Sequence, residues 1–346
     1  MEKDNKIIND ITITNSKAME NNINSTKSNI KIEDNDINNN TNLDREAFLL
    51  TRKAENKLNP GCCLDTLFTS KSKRYEDACN LYQKAGDKYK MCNQWRKAAD
   101  CYDNCSKIKI NLKENPLKFY QESFFCYSKA DSDNNSKKVF EKMNQYLEKE
   151  GEYYEAGKNN ENLGIKNENN EKYNEAIIYY SQAFKYYEMD GKHESLKNNM
   201  QLKIAELMMI YNHPDAPLKV PGLMENIGNS YLKNSLNKYS AKDFFGKAIL
   251  SKIYYDDNPS EWKNYINKFK NLDKTFEEST IYNLCCEVVN SFENNNVYKL
   301  KNSIKNYKEI NEVDEYMINI FHKLEEKITK NYNINGKEFT FEEDLK

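Results

Sequence analysis

The chain has 346 residues, 38% of them hydrophobic, so it can bury a sizeable core, which typical domain sizes would divide into two or three units. Its 52 basic and 54 acidic residues leave a net charge of −2, which gives no global reason to expect nucleic-acid binding. Only 10 glycines and 6 prolines are present, fewer than the turns of an all-β fold need, so the composition favours a helical chain.

The first 42 residues are rich in asparagine and contain no aromatic side chain. Such a segment cannot offset its ordering entropy by burial, so residues 1–42 are expected to form a disordered extension. Neither this segment nor any later one has an apolar run long enough for a secretory signal or a membrane span. The prediction is a soluble protein of the cytoplasm.

The nine cysteines stand mostly at helical packing positions, which suits reduced thiols in a reducing compartment. Cys101 and Cys105 are four residues apart, a spacing that would allow a shared metal, but none of the three histidines is close to them in sequence. Buried packing is therefore the favoured interpretation, and neither a metal nor another cofactor is predicted.

A first helix is predicted from Asp44 to about Leu58, before an Asn-Pro-Gly break. The loop that follows, residues 61–70, has an apolar tip, and three cations come next within residues 71–74. The apolar residues of this loop are Cys62, Cys63, Leu64, Leu67 and Phe68. An apolar tip beside cations is typical of a segment that dips into an anionic membrane surface, but it also fits a loop packed against the next helices. The adjacent cysteines are candidates for acylation.

Residues 74–110 repeat one pattern of large and small side chains at helical spacing. The first copy consists of Tyr75, Ala78, Tyr82, Ala85 and Tyr89, and the second of Trp95, Ala98, Tyr102 and Cys105. Two such helices joined by a tight turn form an antiparallel hairpin. In this hairpin the aromatic side chains of one helix fill the gaps that the alanines of the other leave.

Further copies of the pattern begin near residues 117, 136, 153 and 173, which gives a pair of helices about every 40 residues. This period is longer than the tetratricopeptide unit of about 34 residues. Residues 43–236 are therefore expected to form a tetratricopeptide-like solenoid of helical hairpins in an all-α protein. The alternative is an ordinary helical bundle with aromatic core stripes.

Prolines interrupt the pattern after about Tyr211, and the next helix is predicted to start at Pro221 and to end near Leu232. From residue 237 onward the helices carry broader apolar faces, so residues 237–332 are predicted to form a compact C-terminal helical bundle. Residues 333–346 complete the chain as an acidic tail.

Motifs of catalytic centres are missing from the sequence. It contains no glycine-rich phosphate loop, no Gly-x-Ser-x-Gly and no Cys/His pair in a recognisable motif. The chain is therefore predicted to be a protein-binding scaffold and not an enzyme.

Three stretches carry a resemblance to a known family. They are Lys238-Tyr239-Ser240-Ala241-Lys242-Asp243-Phe244-Phe245, the repeat that begins Tyr75-Glu76-Asp77-Ala78-Cys79, and the ending Glu342-Glu343-Asp344-Leu345-Lys346. Together they resemble the α-type soluble NSF-attachment proteins from about residue 44 to the end. The resemblance implies a twisted sheet of paired helices followed by a helical bundle. It also implies an adaptor of vesicle fusion and intracellular transport, which binds the assembled four-helix SNARE bundle, recruits the hexameric ATPase NSF and stimulates its ATP hydrolysis to disassemble the bundle.

The resemblance further implies which residues act. The basic residues that would bind the SNARE bundle are Lys129, Lys158, Lys203, Lys238 and Lys242, while Glu152, Asn199 and Thr280 stand where a basic residue is expected. The tail residues that would stimulate the ATPase are Glu342, Glu343, Asp344 and Leu345. The loop would make peripheral contact with the membrane, although Cys62 and Cys63 replace the expected phenylalanines.

The competing interpretation is a tetratricopeptide-like scaffold of another pathway, such as a chaperone or coat adaptor. Scaffolds of that kind would centre on a compact cradle of lysines and arginines for the terminal carboxylate of a partner, and the sequence shows no such cradle. The favoured prediction is the SNARE adaptor, with no nucleic acid among its partners.

Overall fold

The computed structural model describes residues 40–60, 69–236 and 238–334, and α-helices dominate these residues. The helices are α1 (residues 40–58), α2 (Lys71–Met91), α3 (Trp95–Asn111), α4 (Leu117–Lys129), α5 (Asp133–Glu150), α6 (Tyr153–Asn169), α7 (Tyr173–Asp190), α8 (Glu194–Ile210), α9 (Ala216–Lys233), α10 (Ala241–Tyr255), α11 (Pro259–Leu272), α12 (Thr280–Glu293), α13 (Val297–Ile310) and α14 (Glu315–Ile334). The described part of the chain contains no strand. The predicted fold class, an all-α chain of tetratricopeptide-like helical hairpins, is confirmed.

The chain forms two compact units that divide between Lys149 and Glu150, here called unit 1 and unit 2. In unit 1, α1 packs on the α2–α3 hairpin, because Ala47 and Ala54 are fully buried and Lys88 pairs with Glu46 at 2.7 Å. In unit 2, one hydrophobic core contains buried residues from α7 through α14. Helices on both sides of residue 237 therefore share this core. The domain limits at residues 42, 236 and 332 remain predictions.

Most aromatic side chains of the repeats are buried, whereas Tyr75, Trp95 and Tyr173 at the helix starts are half-buried. The gaps that the buried rings fill most closely are glycines. A Cβ built on Gly164 would lie 2.5 Å from the Tyr180 ring, and one on Gly157 would lie 2.6 Å from the Tyr187 ring. In unit 1, Gly86 leaves the same kind of space for the ring of Tyr102, at 2.9 Å. The sequence predicts alanines as the gaps. Alanines do line these faces, but only glycine admits a ring at this distance, because it has no Cβ.

Each of these buried rings ends in a hydroxyl that donates to a carboxylate on the partner helix. Tyr187 donates to Glu161 at 2.5 Å and Tyr180 to Glu168 at 2.5 Å, both across the α6–α7 hairpin. Tyr102 donates to Asp87 at 2.6 Å in the same way. Burial, followed by the carboxylate acceptor, raises the pKa of each of these phenols above the ordinary value.

We expect the free energy of unfolding to fall as the pH rises above about 10, the ordinary tyrosine pKa. The unfolded chain releases its phenolic protons there, while the folded chain still holds them because the pKa of Tyr187 and its equivalents is raised. In urea titrations at pH 8 and above, the free energy of unfolding of Tyr187→Phe should fall less steeply with pH than that of the wild type. The variant lacks one phenol whose pKa is raised in the folded chain. Tyr298→Phe, which changes an exposed ring, is the control, and an unaltered slope in Tyr187→Phe would contradict the linkage.

The tight turns between helices share one geometry. At six of them a non-glycine residue has a φ between 48° and 59°, in the left-handed region. The residue after it donates its N–H to the carbonyl five positions earlier, as Lys172 does to Asn167 at 2.9 Å and Gln94 to Tyr89 at 2.8 Å. These bonds are those of a Schellman motif, which satisfies the last carbonyls of a helix and reverses the chain. The six residues are Asn93, Lys113, Asp131, Glu171, Asn212 and Asn295.

The predicted start of one helix at Pro221 is wrong, because α9 begins at Ala216 and Pro221 lies inside it. Pro217 occupies the first turn, where a backbone N–H has no partner within the helix. The missing N–H of Pro221 leaves the carbonyl of Pro217 unbonded, but residue 217 is exposed and water can reach it. Burial of Val220 and Met224 on the same helix offsets the lost bond.

Candidate functional site

The five lysines predicted as SNARE-binding residues lie on alternate elements of the helical array. Lys129 ends α4 in unit 1. In unit 2, Lys158 lies on α6, Lys203 on α8 and Lys242 on α10, and Lys238 opens a short 3-10 turn just before α10. In a layered array of hairpins, alternate helices belong to the same layer. Lys158 and Lys203 thus come from alternate helices of one layer.

Contacts between α6 and α8 place two of these lysines on adjacent helices. Lys203 Nζ lies 3.4 Å from Glu168 Oε1, so α8 and α6 touch near the end of α6. At the start of α6 the Tyr154 ring packs 4.5 Å from the ring of His193, the residue before α8. Lys158, one turn after Tyr154, holds its Nζ 6.0 Å from the Tyr154 ring. An exposed lysine therefore borders the α6–α8 contact, with no carboxylate in ion-pair range among the described residues.

The charge of Lys203 is already shared with two carboxylates. Besides Glu168, its Nζ lies 3.7 Å from Glu206 Oε2. Burial raises the pKa of Glu206, although Lys203 opposes this effect. The lysine thus compensates a half-buried acid within the array, and less of its field reaches an outside partner than is the case for Lys158.

The two lysines before and inside α10 also differ in how far their charges are exposed to solvent. Lys238 and Tyr239 are both exposed, and the Nζ lies 5.1 Å from the neighbouring ring. Lys242 is half-buried beside Asp243. Desolvation raises the pKa of Asp243, and the positive charge of Lys242 offsets only part of this rise. Of these two lysines, Lys238 is the more open to solvent.

One charged residue that the sequence analysis did not single out is Lys247, which is 5% exposed on α10. It forms an ion pair with Asp314, and its Nζ lies 4.8 Å from the Phe244 ring and 5.6 Å from the Tyr316 ring. Asp314 also caps α14 by accepting the N–H of Met317 at 3.0 Å. The sequence feature that could have indicated this buried ion pair is a lysine in the middle of an apolar helical face.

The three positions that depart from the expected basic pattern are all at the surface. Glu152 precedes α6, Asn199 lies on α8, and Thr280 begins α12, where its hydroxyl donates to Asn311 at 2.9 Å. The described surface of unit 2 therefore carries fewer cations than the resemblance implies.

The membrane-loop residues Cys62, Cys63, Leu64, Leu67 and Phe68 and the tail residues Glu342, Glu343, Asp344 and Leu345 lie outside the described residues. Within the described ranges, none of the helices combines the length and the apolar character that a bilayer crossing requires. No three or more His, Cys, Asp or Glu side chains among those residues are placed to hold a metal ion.

Comparison with known proteins gives a consistent result. The family model described as soluble NSF attachment protein, SNAP, matches residues 45–329. The vesicular-fusion protein SEC17 of Komagataella phaffii is 27% identical over 286 residues, covering 82% of this chain and 95% of that protein. The human alpha-soluble NSF attachment protein is 24% identical over 292 residues, covering 84% and 97%. The bovine beta-soluble NSF attachment protein is 23% identical over 292 residues, covering 84% and 96%.

Proposed function

The chain belongs to the soluble NSF attachment protein family, and on this premise we propose that it is an adaptor in vesicle fusion. In this role it binds assembled SNARE complexes, recruits the NSF ATPase and stimulates ATP hydrolysis by that ATPase, so that the complexes are disassembled. The observation that carries the proposal is the extent of the family match, which includes helices of both units. The hydrolytic chemistry belongs to the ATPase, and this chain supplies binding surfaces.

The helical hairpins suit the chain for this role because they hold surface lysines on a rigid frame. A long acidic rod is attracted to several such lysines at once, and each contributes additively without strict geometry. Within unit 2 the exposed Lys158 and Lys238 are better placed for such attraction than Lys203, whose charge Glu168 and Glu206 already offset.

The proposal is tested by a pull-down with purified SNARE proteins. The chain should retain the assembled four-helix bundle and not the individual SNARE proteins, because only the bundle offers an extended acidic surface. With the NSF ATPase and ATP added, the bundle should be disassembled faster than without the chain. Equal capture of strands and bundle, or disassembly that does not depend on the chain, would favour a scaffold of another pathway.

We propose a separate role for the tail, in which Leu345 gives the ATPase an apolar anchor beside the carboxylates of Glu342, Glu343 and Asp344. Leu345→Ala should leave SNARE binding unchanged and lower both ATPase stimulation and disassembly severalfold, measured on the same preparation. Leu218→Ala, which alters an exposed leucine of α9, serves as the control. A parallel loss of SNARE binding in Leu345→Ala would refute this division of roles.

The loop of residues 61–70 completes the proposed function as a peripheral membrane contact of a cytoplasmic protein. Leu64, Leu67 and Phe68 supply the apolar surface, and acylation of Cys62 and Cys63 would strengthen it, since one short apolar loop binds a bilayer only weakly. Flotation of the chain with anionic vesicles measures this contact. Flotation that Phe68→Ser does not reduce would contradict it.

A further inference from the structure

The outward side of α1 combines exposed apolar side chains with unpaired cations, and no part of the proposed function uses it. Ala47 and Ala54, two turns apart, are fully buried where α1 packs on the α2–α3 hairpin. Away from this buried side, α1 carries two large apolar side chains, Phe48 at 55% exposure and Leu49 at 51%. Two such side chains next to each other on an exposed helix form a candidate contact surface.

Basic side chains stand one turn before and one turn after both apolar residues. Arg45 precedes Phe48 and Leu49 by three and four positions, and Arg52 follows them by four and three. Lys53 follows Leu49 by four positions. Residues at these spacings are neighbours on the surface of a helix, and all three basic side chains are exposed. These five residues are here called the α1 face.

The charge of α1 is positive when all of its carboxylates are counted. The helix contains three of them, and each lies in an ion pair that is neutral as a whole. The pairs are Asp44–Lys97 at 2.8 Å, Glu46–Lys88 at 2.7 Å and Glu55–Arg52 at 3.6 Å. Lys57, near the end of the helix, is balanced by Asp77 at 3.9 Å. Arg45 and Lys53 have no carboxylate within ion-pair distance among the described residues, so these two cations leave α1 and its ion-pair partners with a surplus of positive charge.

An anionic membrane surface is the partner that this combination fits. Phe48 and Leu49 suit shallow insertion at the level of the lipid headgroups, and the long arginine and lysine side chains beside them can reach the phosphates. The position of α1 along the chain also favours a bilayer over an acidic protein. The helix ends at residue 58, and the loop of residues 61–70, for which a membrane contact is proposed above, follows directly.

We propose that the α1 face is a second membrane contact, in which Phe48 and Leu49 insert while Arg45 and Lys53 attract anionic lipids. The inference deepens the membrane role of the proposed function and rests on it. One short apolar loop binds a bilayer only weakly, and two linked contacts bind more tightly than either does alone. Two contacts also restrict how unit 1 can turn relative to the bilayer.

The test is flotation of the full chain with phosphatidylcholine vesicles that contain about 30% phosphatidylserine. Phe48→Ser with Leu49→Ser should lower the affinity about fivefold or more at both low and high salt, since salt does not screen apolar insertion. Arg45→Ala with Lys53→Ala should lower it about tenfold or more at low salt, and this loss should shrink at high salt. Vesicles without phosphatidylserine should bind the wild type more weakly.

Each double variant has a matched control in unit 1. Phe125→Ser alters a 45% exposed phenylalanine of α4. Lys137→Ala with Lys138→Ala removes two positive charges from exposed lysines of α5. Both controls should float like the wild type. The substituted side chains of the α1 face are exposed, so the melting temperature of its variants should stay close to that of the wild type.

Wild-type flotation in Phe48→Ser with Leu49→Ser, at a retained melting temperature, would overturn the inference. Equal losses in the variants and their controls would also overturn it, because the effect would then not be specific to α1. A lower affinity for a soluble, lipid-free SNARE bundle at unchanged flotation would overturn it too, since the occupant would then be the bundle.

Failure of the proposed function gives different results. If Phe68→Ser floated like the wild type while the variants of the α1 face did not, only the role of the loop would be refuted and the inference would stand. If the wild-type chain did not float with anionic vesicles, the membrane role itself would be refuted, and the inference with it.

Discussion

Gly164→Ala is expected to lower the free energy of unfolding of unit 2 by about 1–3 kcal/mol, the usual cost of overpacking a tight core. The added Cβ would lie 2.5 Å from Cε1 and 2.6 Å from Cδ1 of Tyr180. That ring cannot easily move aside, since it is buried and its hydroxyl is bound to Glu168 at 2.5 Å. The gain of about 1 kcal/mol in helix propensity for alanine over glycine is too small to compensate.

Gly222→Ala on α9 is the matched control for this prediction. It is the same substitution within a helix of the same unit, but apart from the adjoining residues and backbone of its own helix nothing lies within 4 Å of the added Cβ. It should therefore raise the free energy of unfolding by about 0.5–1 kcal/mol through helix propensity. Denaturant titrations of the two variants should shift in opposite directions. A stabilised Gly164→Ala would mean that the hairpin does not depend on this close approach.

Lys158→Glu should weaken binding to the SNARE bundle about tenfold or more at low salt, and the loss should shrink as the salt concentration rises. The side chain is exposed and has no carboxylate partner among the described residues, so no ion pair within the fold weakens its attraction to the acidic SNARE bundle. Lys203→Glu, the same change of charge, should cost less, because the Lys203 charge is offset by Glu168 at 3.4 Å and Glu206 at 3.7 Å. The structure thus ranks two lysines that the sequence treats as equivalent.

Lys185→Glu is the control for Lys158→Glu. It makes the same change of charge at an exposed lysine of α7, a helix that alternates with α6 and α8 and so belongs to the other layer. Its affinity should stay close to that of the wild type in the same titration. Equal losses in Lys158→Glu and Lys185→Glu would indicate an effect of net charge and would argue against a binding face on α6 and α8.

Within the repeats, helix starts followed from the sequence where a large apolar or aromatic residue is the first residue of the helix. The predicted starts near 95, 117, 153 and 173 coincide with α3, α4, α6 and α7. The predicted starts near 75 and 136 are late, because α2 begins at Lys71 and α5 at Asp133. Both helices open with polar residues, which an apolar period does not detect, and the side chain of Ser70 caps α2.

The electrostatic role of each lysine did not follow from the sequence. In the sequence, Lys158, Lys203 and Lys247 all look like solvated or partner-binding cations. In the structure Lys158 is exposed, Lys203 is shared between two acids, and Lys247 is buried in an ion pair with Asp314. Glu168 lies 35 residues from Lys203 along the chain, and Asp314 lies 67 residues from Lys247. A linear pattern carries no information about such pairs, because only the packing of helices brings them together.

By itself the sequence determined the all-α class, the hairpin period and the family resemblance, because helical spacing and local motifs are properties of residues close together along the chain. The tertiary structure decided which glycines receive the tyrosine rings, which carboxylates bind their hydroxyls and which lysines remain available to a partner. Each of these depends on distances between helices. Such distances are set by close packing across the hairpins, where a single Cβ or one carboxylate determines whether a ring or a charge is accommodated.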